Sequence, residues 1–244
     1  LVMTDNTGTN GAFLVDNCGD FTLGAGNQIG GSGHENTWPV SMTAGSYPSA
    51  GCVIPTTGNT NNDIRVHAGA SDRSGAWRKF ADLDYVITGT PQVQAGGSLT
   101  IEPTVQVLCN TGQGLAIYGE LIAEAEAGQE IVLDRNGATG SWAGIYVQGG
   151  GTASLDHCLL DYGYYGINQN STGTTTVANT AITHAQNGIR AANGQVQLAS
   201  CLISDSAYGF FGAGVQPTLL DSATIFQGNG TGIYLSNLDQ MVWN

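Results

Sequence analysis

Cations are scarce in this chain, so carboxylates, histidines and tyrosines must carry whatever chemistry it performs. There is one lysine, Lys79, and there are five arginines in 244 residues, with a formal charge of −13. Paired carboxylates can serve as acid and base, or acid and nucleophile, in glycoside cleavage. Asp156 and Asp161 lie close in sequence with His157 between them, and Asp205 and Asp221 follow. Neighbours on a strand leave opposite faces, so Asp156 and His157 do not form a pair. The histidines His34, His67, His157 and His184 show no H-x-H or H-x-x-x-H spacing. Calcium is the one cofactor left open, through Asp5, Asp16, Asp20, Asp82 and Asp84 with backbone carbonyls, although no segment matches a calcium-binding loop.

Aromatic residues gather beside glycines. Tyr162, Tyr164, Tyr165, Tyr208 and Phe211 are the candidate ligand-binding residues, with Tyr146 and Tyr234 near them. Such rings suit stacking on sugars or contact with another chain; the plainer alternative is ordinary packing along one face of the fold. Five cysteines leave an odd thiol, and no C-x-x-C pair suggests zinc. Cys18 and Cys52 are the candidate disulfide pair, while Cys158 and Cys201 read as small inward core residues.

The elements that position these groups show in a repeat. Glycine followed by a bulky apolar residue occurs at Gly144-Ile145, Gly166-Ile167, Gly188-Ile189, Gly209-Phe210 and Gly232-Ile233. The spacing is nearly constant, at about 22 residues, within the range of solenoid repeats. Between these pairs three columns align, the last coil with a one-residue shift that matches its longer gap: Leu155, Val177, Leu198 and Leu220; Cys158, Thr180, Cys201 and Ala223; Leu160, Ile182, Ile203 and Ile225. Apolar residues alternate locally, which is the period of a strand. A repeat of this length fits one coil of a solenoid, stacked about 4.8 Å from the next. The recurring glycine marks a corner or a close backbone approach. An antiparallel sandwich would place Asn-Gly hairpin signals between every pair of strands, whereas here they recur about once per period. Asp156 and Asp221 share a column with Ala178 and Ala199 between them, about 14 Å apart, too far for glycosidase work.

The segments YVITGTPQVQAGGSLTIEPTVQVL, GLAIYGELIAEAEAGQEIVLD and SWAGIYV, running from Tyr85 to Val147, resemble the opening coils of secreted right-handed parallel β-helix proteins. The matching positions are Tyr85, Ile87, Gly89, Gly97, Leu99, Thr100, Ile101, Glu102, Pro103, Leu115, Ile117, Gly119, Leu121, Ala123, Trp142, Gly144 and Ile145. The glycine that such proteins place after Pro103 is Thr104 here, which suggests a shortened turn. The resemblance implies an all-β fold, a right-handed parallel β-helix of about 22 residues per coil over residues 81–244. Residues 1–80 fall outside the pattern and read as an irregular β cap or interaction region. The resemblance does not fix an activity, because such modules occur in adhesins, repeat proteins and carbohydrate-active enzymes. The Gly-His-Gly and Arg-x-Lys of polygalacturonase-type hydrolases are missing. Lyases of this architecture need a basic residue opposite calcium-binding carboxylates. Here Arg135 and Arg190 read as solvated turns, and Arg73, Arg78 and Lys79 precede the coils.

No catalytic set is assigned, and enzymatic activity is left open with the balance against it. The sparse charge and high Gly, Thr, Asn and Ser content suit an extracellular or cell-surface protein. The expected function is structural: a subunit of a surface assembly, filament, sheath or adhesin. Copies of the chain would meet through solenoid ends or the N-terminal region, since no cap is evident near Trp243. The alternative is a carbohydrate-binding or polysaccharide-cleaving module. Nucleic acid is not an expected partner, because phosphate contacts need many cations. Membrane insertion is not expected either, because no apolar run is long enough.

Overall fold

A computed structural model describes residues 1–54, 57–80, 83–213, 219–220 and 223–236. Asp82, Asp221 and Trp243, which entered the sequence argument, lie outside these residues. Every pair of named strands is parallel, and the chain winds as a β-solenoid. Each regular coil supplies three short strands, one to each of three walls. In one coil these are Tyr85–Ile87, Pro91–Val93 and Ser98–Ile101; in the next they are Gln106–Cys109, Gly114–Ile117 and Glu120–Glu124.

The first wall is a ten-stranded sheet with one strand per coil. The second and third merge into a single 13-stranded sheet, because Tyr165–Ala178 and Asn187–Ala199 run through the corner between them. That corner is tied from inside. The buried Gln169 accepts a hydrogen bond from Thr175 at 2.6 Å and donates to the Gly173 carbonyl at 2.8 Å.

Strand alternation sorts side chains inward and outward, and stacking turns each inward position into a ladder. Ile145, Ile167, Ile189 and Phe210 form one, and Leu155, Val177 and Leu198 another. Leu160, Ile182 and Ile203 form a third, again with parallel partners. All of these are buried, and each contributes roughly 1.5–3 kcal/mol by leaving water. The recurring glycine allows neighbouring backbones to approach closely. A Cβ on Gly188 would lie 2.5 Å from Ile203 Cγ2 and 2.6 Å from the Gly209 carbonyl oxygen.

Four sequence expectations need correction. First, the shift in the last coil places other residues in the columns than Ala223 and Ile225: Ile203 pairs with Phe226, and Ile225 pairs with the outward Leu202 and is exposed. Cys201 accordingly aligns with Thr224, not Ala223. A slip of one position exchanges the faces of a strand.

Second, the strands of residues 1–80 join the same stack. Phe13, Val40, Ile64 and Tyr85 lie above one another, so the early coils are unequal in length and shorten toward Tyr85. Arg73 and Arg78 therefore sit among the coils, and Arg78 pairs with Glu102 at 2.6 Å. These early strands are only two or three residues long, and a buried amide network supports them. Asn36 donates to the Met3 carbonyl at 2.9 Å and to Asn59 Oδ1 at 3.0 Å, and Asn59 donates to the Ile29 carbonyl.

Third, Cys18 and Cys52 are both free. Gly19, next to Cys18, pairs with Ser46, whereas Cys52 accepts from the Leu23 amide further along the coil, so the two thiols lie at different places on it. Fourth, Thr104 has φ 64° and takes the left-handed conformation itself, standing in for the glycine instead of shortening the turn.

Candidate functional site

In the last four described coils, the corner from the first wall to the second is made by a single left-handed residue. Tyr162, His184 and Asp205 have φ of 53°, 50° and 53°, and Gly228 follows at 66°. This conformation is unfavourable for residues other than glycine. Its recurrence at one place points their side chains into a common column outside the barrel. The Tyr162 and His184 rings stack 4.6 Å apart at 10°, and the Arg135 guanidinium lies 3.5 Å over the other side of Tyr162.

Beside that stack runs a polar column. Leu133 pairs with Leu160, so the outward Asp134 and Asp161 follow on neighbouring coils, and Asp161 pairs with Thr183. Asp161 Oδ1 accepts from the Tyr162 amide at 2.9 Å and the Thr183 hydroxyl at 2.8 Å, and lies 2.7 Å from His184 Nδ1. Its backbone carbonyl accepts from the buried Trp142 indole at 2.7 Å. Burial, followed by the nearby Asp161 charge, holds the Asp134 carboxyl above the usual range, against the lowering effect of its bond from the Arg135 amide.

Past the corner, the second wall presents two outward columns. One reads Tyr146, Asn168, Arg190, Phe211, Tyr234 over successive coils; the other reads Tyr165, Asn187, Tyr208, Thr231. The rings form two clusters. Tyr165 meets Tyr146 edge-on at 5.6 Å and Tyr164 at 4.8 Å. Phe211 stacks on Tyr234 at 4.9 Å, with Tyr208 edge-on at 5.6 Å. Arg190 lies between the clusters and donates to Asn168 Oδ1 at 3.0 Å. Tyr164 and Tyr234 are the most exposed, at 50% and 42%. Burial, then the neighbouring Tyr165 and Tyr164, raises the Tyr146 phenol above its ordinary range.

The five aromatic candidates thus separate into three settings. Tyr162 belongs to the corner stack, Tyr164 and Tyr165 to the first cluster, and Tyr208 and Phe211 to the second. The sequence reading missed Asp134, Arg135 and His184 as neighbours of Asp161. Leu133 and Leu160, which pair across that coil, stand further apart in sequence than the common period of the repeat. Matching Ile131-x-Leu133 to Cys158-x-Leu160 would have aligned them. Arg190 was set aside as a solvated turn, yet it lies on a strand between two aromatic clusters.

Other expected sites are dispersed. Asp5 lies 3.1 Å from His34, and Asp16 accepts from Thr43. Among the described residues, no group of three or more His, Cys, Asp or Glu side chains could hold a metal ion. Cys158 and Cys201 are buried in the core, and burial pushes the Cys158 thiol up to about 12.

The family description "right handed beta helix region" matches residues 105–243, more than half of the chain. Comparisons with curated proteins and with solved structures returned no match.

Proposed function

Because the chain belongs to the right-handed β-helix family, its coils stack at an even spacing, and we propose that it is an extracellular, non-enzymatic scaffold whose second wall binds polysaccharide. One observation carries the reading: strand register gathers Tyr146, Tyr165, Tyr208, Phe211 and Tyr234 on a single outward face, with Asn168 and Arg190 between the rings. The two clusters stand about three coils, or roughly 14 Å, apart. A linear glycan lying along the axis can stack a ring on each cluster and meet amide and guanidinium donors between them.

Affinity electrophoresis against neutral and acidic polysaccharides tests this. At least one polysaccharide retards the protein, and the double variant Phe211→Ala/Tyr234→Ala weakens that binding about tenfold. Retardation unaffected by the double variant, or no retardation by any polymer, counts against the wall.

The Asp134 and Asp161 pair favours a second reading, cleavage. Carboxylates on neighbouring coils stand about 5 Å apart, close to the separation in retaining glycosidases. Reducing ends released by the wild type but not by Asp134→Asn would replace the non-enzymatic reading with this one. The scaffold reading also includes contact between copies at the first described coil, where, among the described residues, Phe13–Val15 and Gly19–Phe21 each have a partner strand on one side only. Sizing across a dilution series tests that part, and a monomer at every concentration removes it.

A further inference from the structure

A notch at the opposite corner, between the second and third walls, is separate from the aromatic face. The turn between Gly114–Ile117 and Glu120–Glu124 takes two residues, Tyr118 and Gly119, whereas the preceding coil takes four between Pro91–Val93 and Ser98–Ile101. An open recess of about 450 Å³ lies there, lined by Gly96, Gly97, Gly119 and Gly150 together with Tyr118 and Glu120. A volume of this size falls in the range of small-molecule sites.

Its polar groups are arranged by register. Ser98, Glu120 and Thr152 stack on three successive coils, which puts a hydroxyl on each side of the carboxylate. Among the described residues no hydrogen bond or ion pair reaches the exposed Glu120 carboxylate. The Tyr118 hydroxyl is held by donation to Gln148 Oε1 at 3.2 Å, which fixes the ring at the edge of the notch. An ionised carboxylate accepts hydrogen bonds but donates none, and an aromatic face attracts cations. Hydroxyls above and below add contacts for a ligand rich in hydroxyl groups. The formal charge of −13 draws cations toward the surface.

We propose that this notch binds an amino sugar, with the ammonium on Glu120, the ring against Tyr118 and the sugar hydroxyls on Ser98 and Thr152. The site does not depend on glycan binding by the second wall.

Calorimetric titration with glucosamine, N-acetylglucosamine and glucose, below neutral pH where the free amine is charged, tests the proposal. Glucosamine binds in the millimolar range, and the two uncharged sugars bind about tenfold more weakly. Glu120→Gln weakens glucosamine by a similar factor. Gly150 supplies a variant that fills the notch without straining the fold: an added Cβ meets nothing within 4 Å, and its φ lies outside the left-handed region. Gly150→Phe abolishes glucosamine binding while the circular dichroism spectrum stays unchanged, and Phe211→Ala leaves binding intact. Equal binding of all three sugars, absence of glucosamine binding, or binding unaffected by Gly150→Phe would overturn the proposal.

Discussion

The early coils and the late coils reach one architecture by different means. From Leu160 onward, aliphatic ladders and a glycine column set the stacking, and coil length stays nearly constant. Before Tyr85 the coils vary in length, the strands shrink to two or three residues, and the stacked amides of Asn36 and Asn59 are buried beside aliphatic ladders such as Val40–Ile64 and Met42–Val66. A buried amide placed at the same point of successive coils gives and receives hydrogen bonds across the gap between them, satisfying groups that would be costly to leave unpaired. The contrast teaches that a solenoid requires like positions to stack, and leaves open whether packing or hydrogen bonding holds them there.

The largest expected effect tests the aliphatic half. Ile182→Ala should lower unfolding free energy in urea by about 4 kcal/mol, since the fully buried side chain leaves a cavity between two coils. Asn36→Ala tests the amide half and should cost about 2 kcal/mol by removing the donor to Asn59 Oδ1 and the acceptor of the Asn6 amide, while the Met3 carbonyl keeps its bond from the Gly30 amide. Solenoid coils depend chiefly on their neighbours, so hydrogen exchange should speed up near residues 1–66 in the Asn36 variant and near 158–213 in the Ile182 variant. Equal acceleration throughout would erase the distinction.

The register of the last described coil gives a finer test. Phe226→Ala should destabilise by about 1–2 kcal/mol and Ile225→Ala by less than about 0.5 kcal/mol. The reverse order would return Ile225 to the inward column. The smallest effect concerns Asp134. Its folded-state pKa is raised, so ionisation disfavours the folded state: stability falls as pH rises from the ordinary carboxylate range through the raised value. Asp134→Asn should therefore be more stable than wild type at pH 7, by no more than about 1 kcal/mol for a half-exposed group. That gain should fade as the pH drops below the carboxylate range. A gain that persists in acid would assign the effect to packing instead.

Legibility followed regularity. Gly166, Gly188 and Gly209, with the apolar residues after them, repeat at nearly constant intervals, so the parallel stack and its inward ladders were readable before any coordinates. Residues 1–80 hid the same winding, because their coils differ in length and the inward residues Val15, Met42, Val66 and Ile87 recur at no fixed interval. The five aromatic candidates were found by clustering alone, which did not say which rings share a face. Asp134 and Arg135 escaped because an outward loop lengthens their coil without altering the strand that follows.

By itself, the chain's order of residues determined that like side chains recur at the length of one coil, and therefore that parallel coils stack over a shared apolar interior. Only the tertiary structure decided which outward residues meet. An outward neighbour across a coil is chosen by strand register and corner conformation, and loops of unequal length break any fixed count along the chain. Asp161 thus touches His184 and stands beside Asp134, Arg190 lies between two aromatic clusters, and Glu120 sits between Ser98 and Thr152.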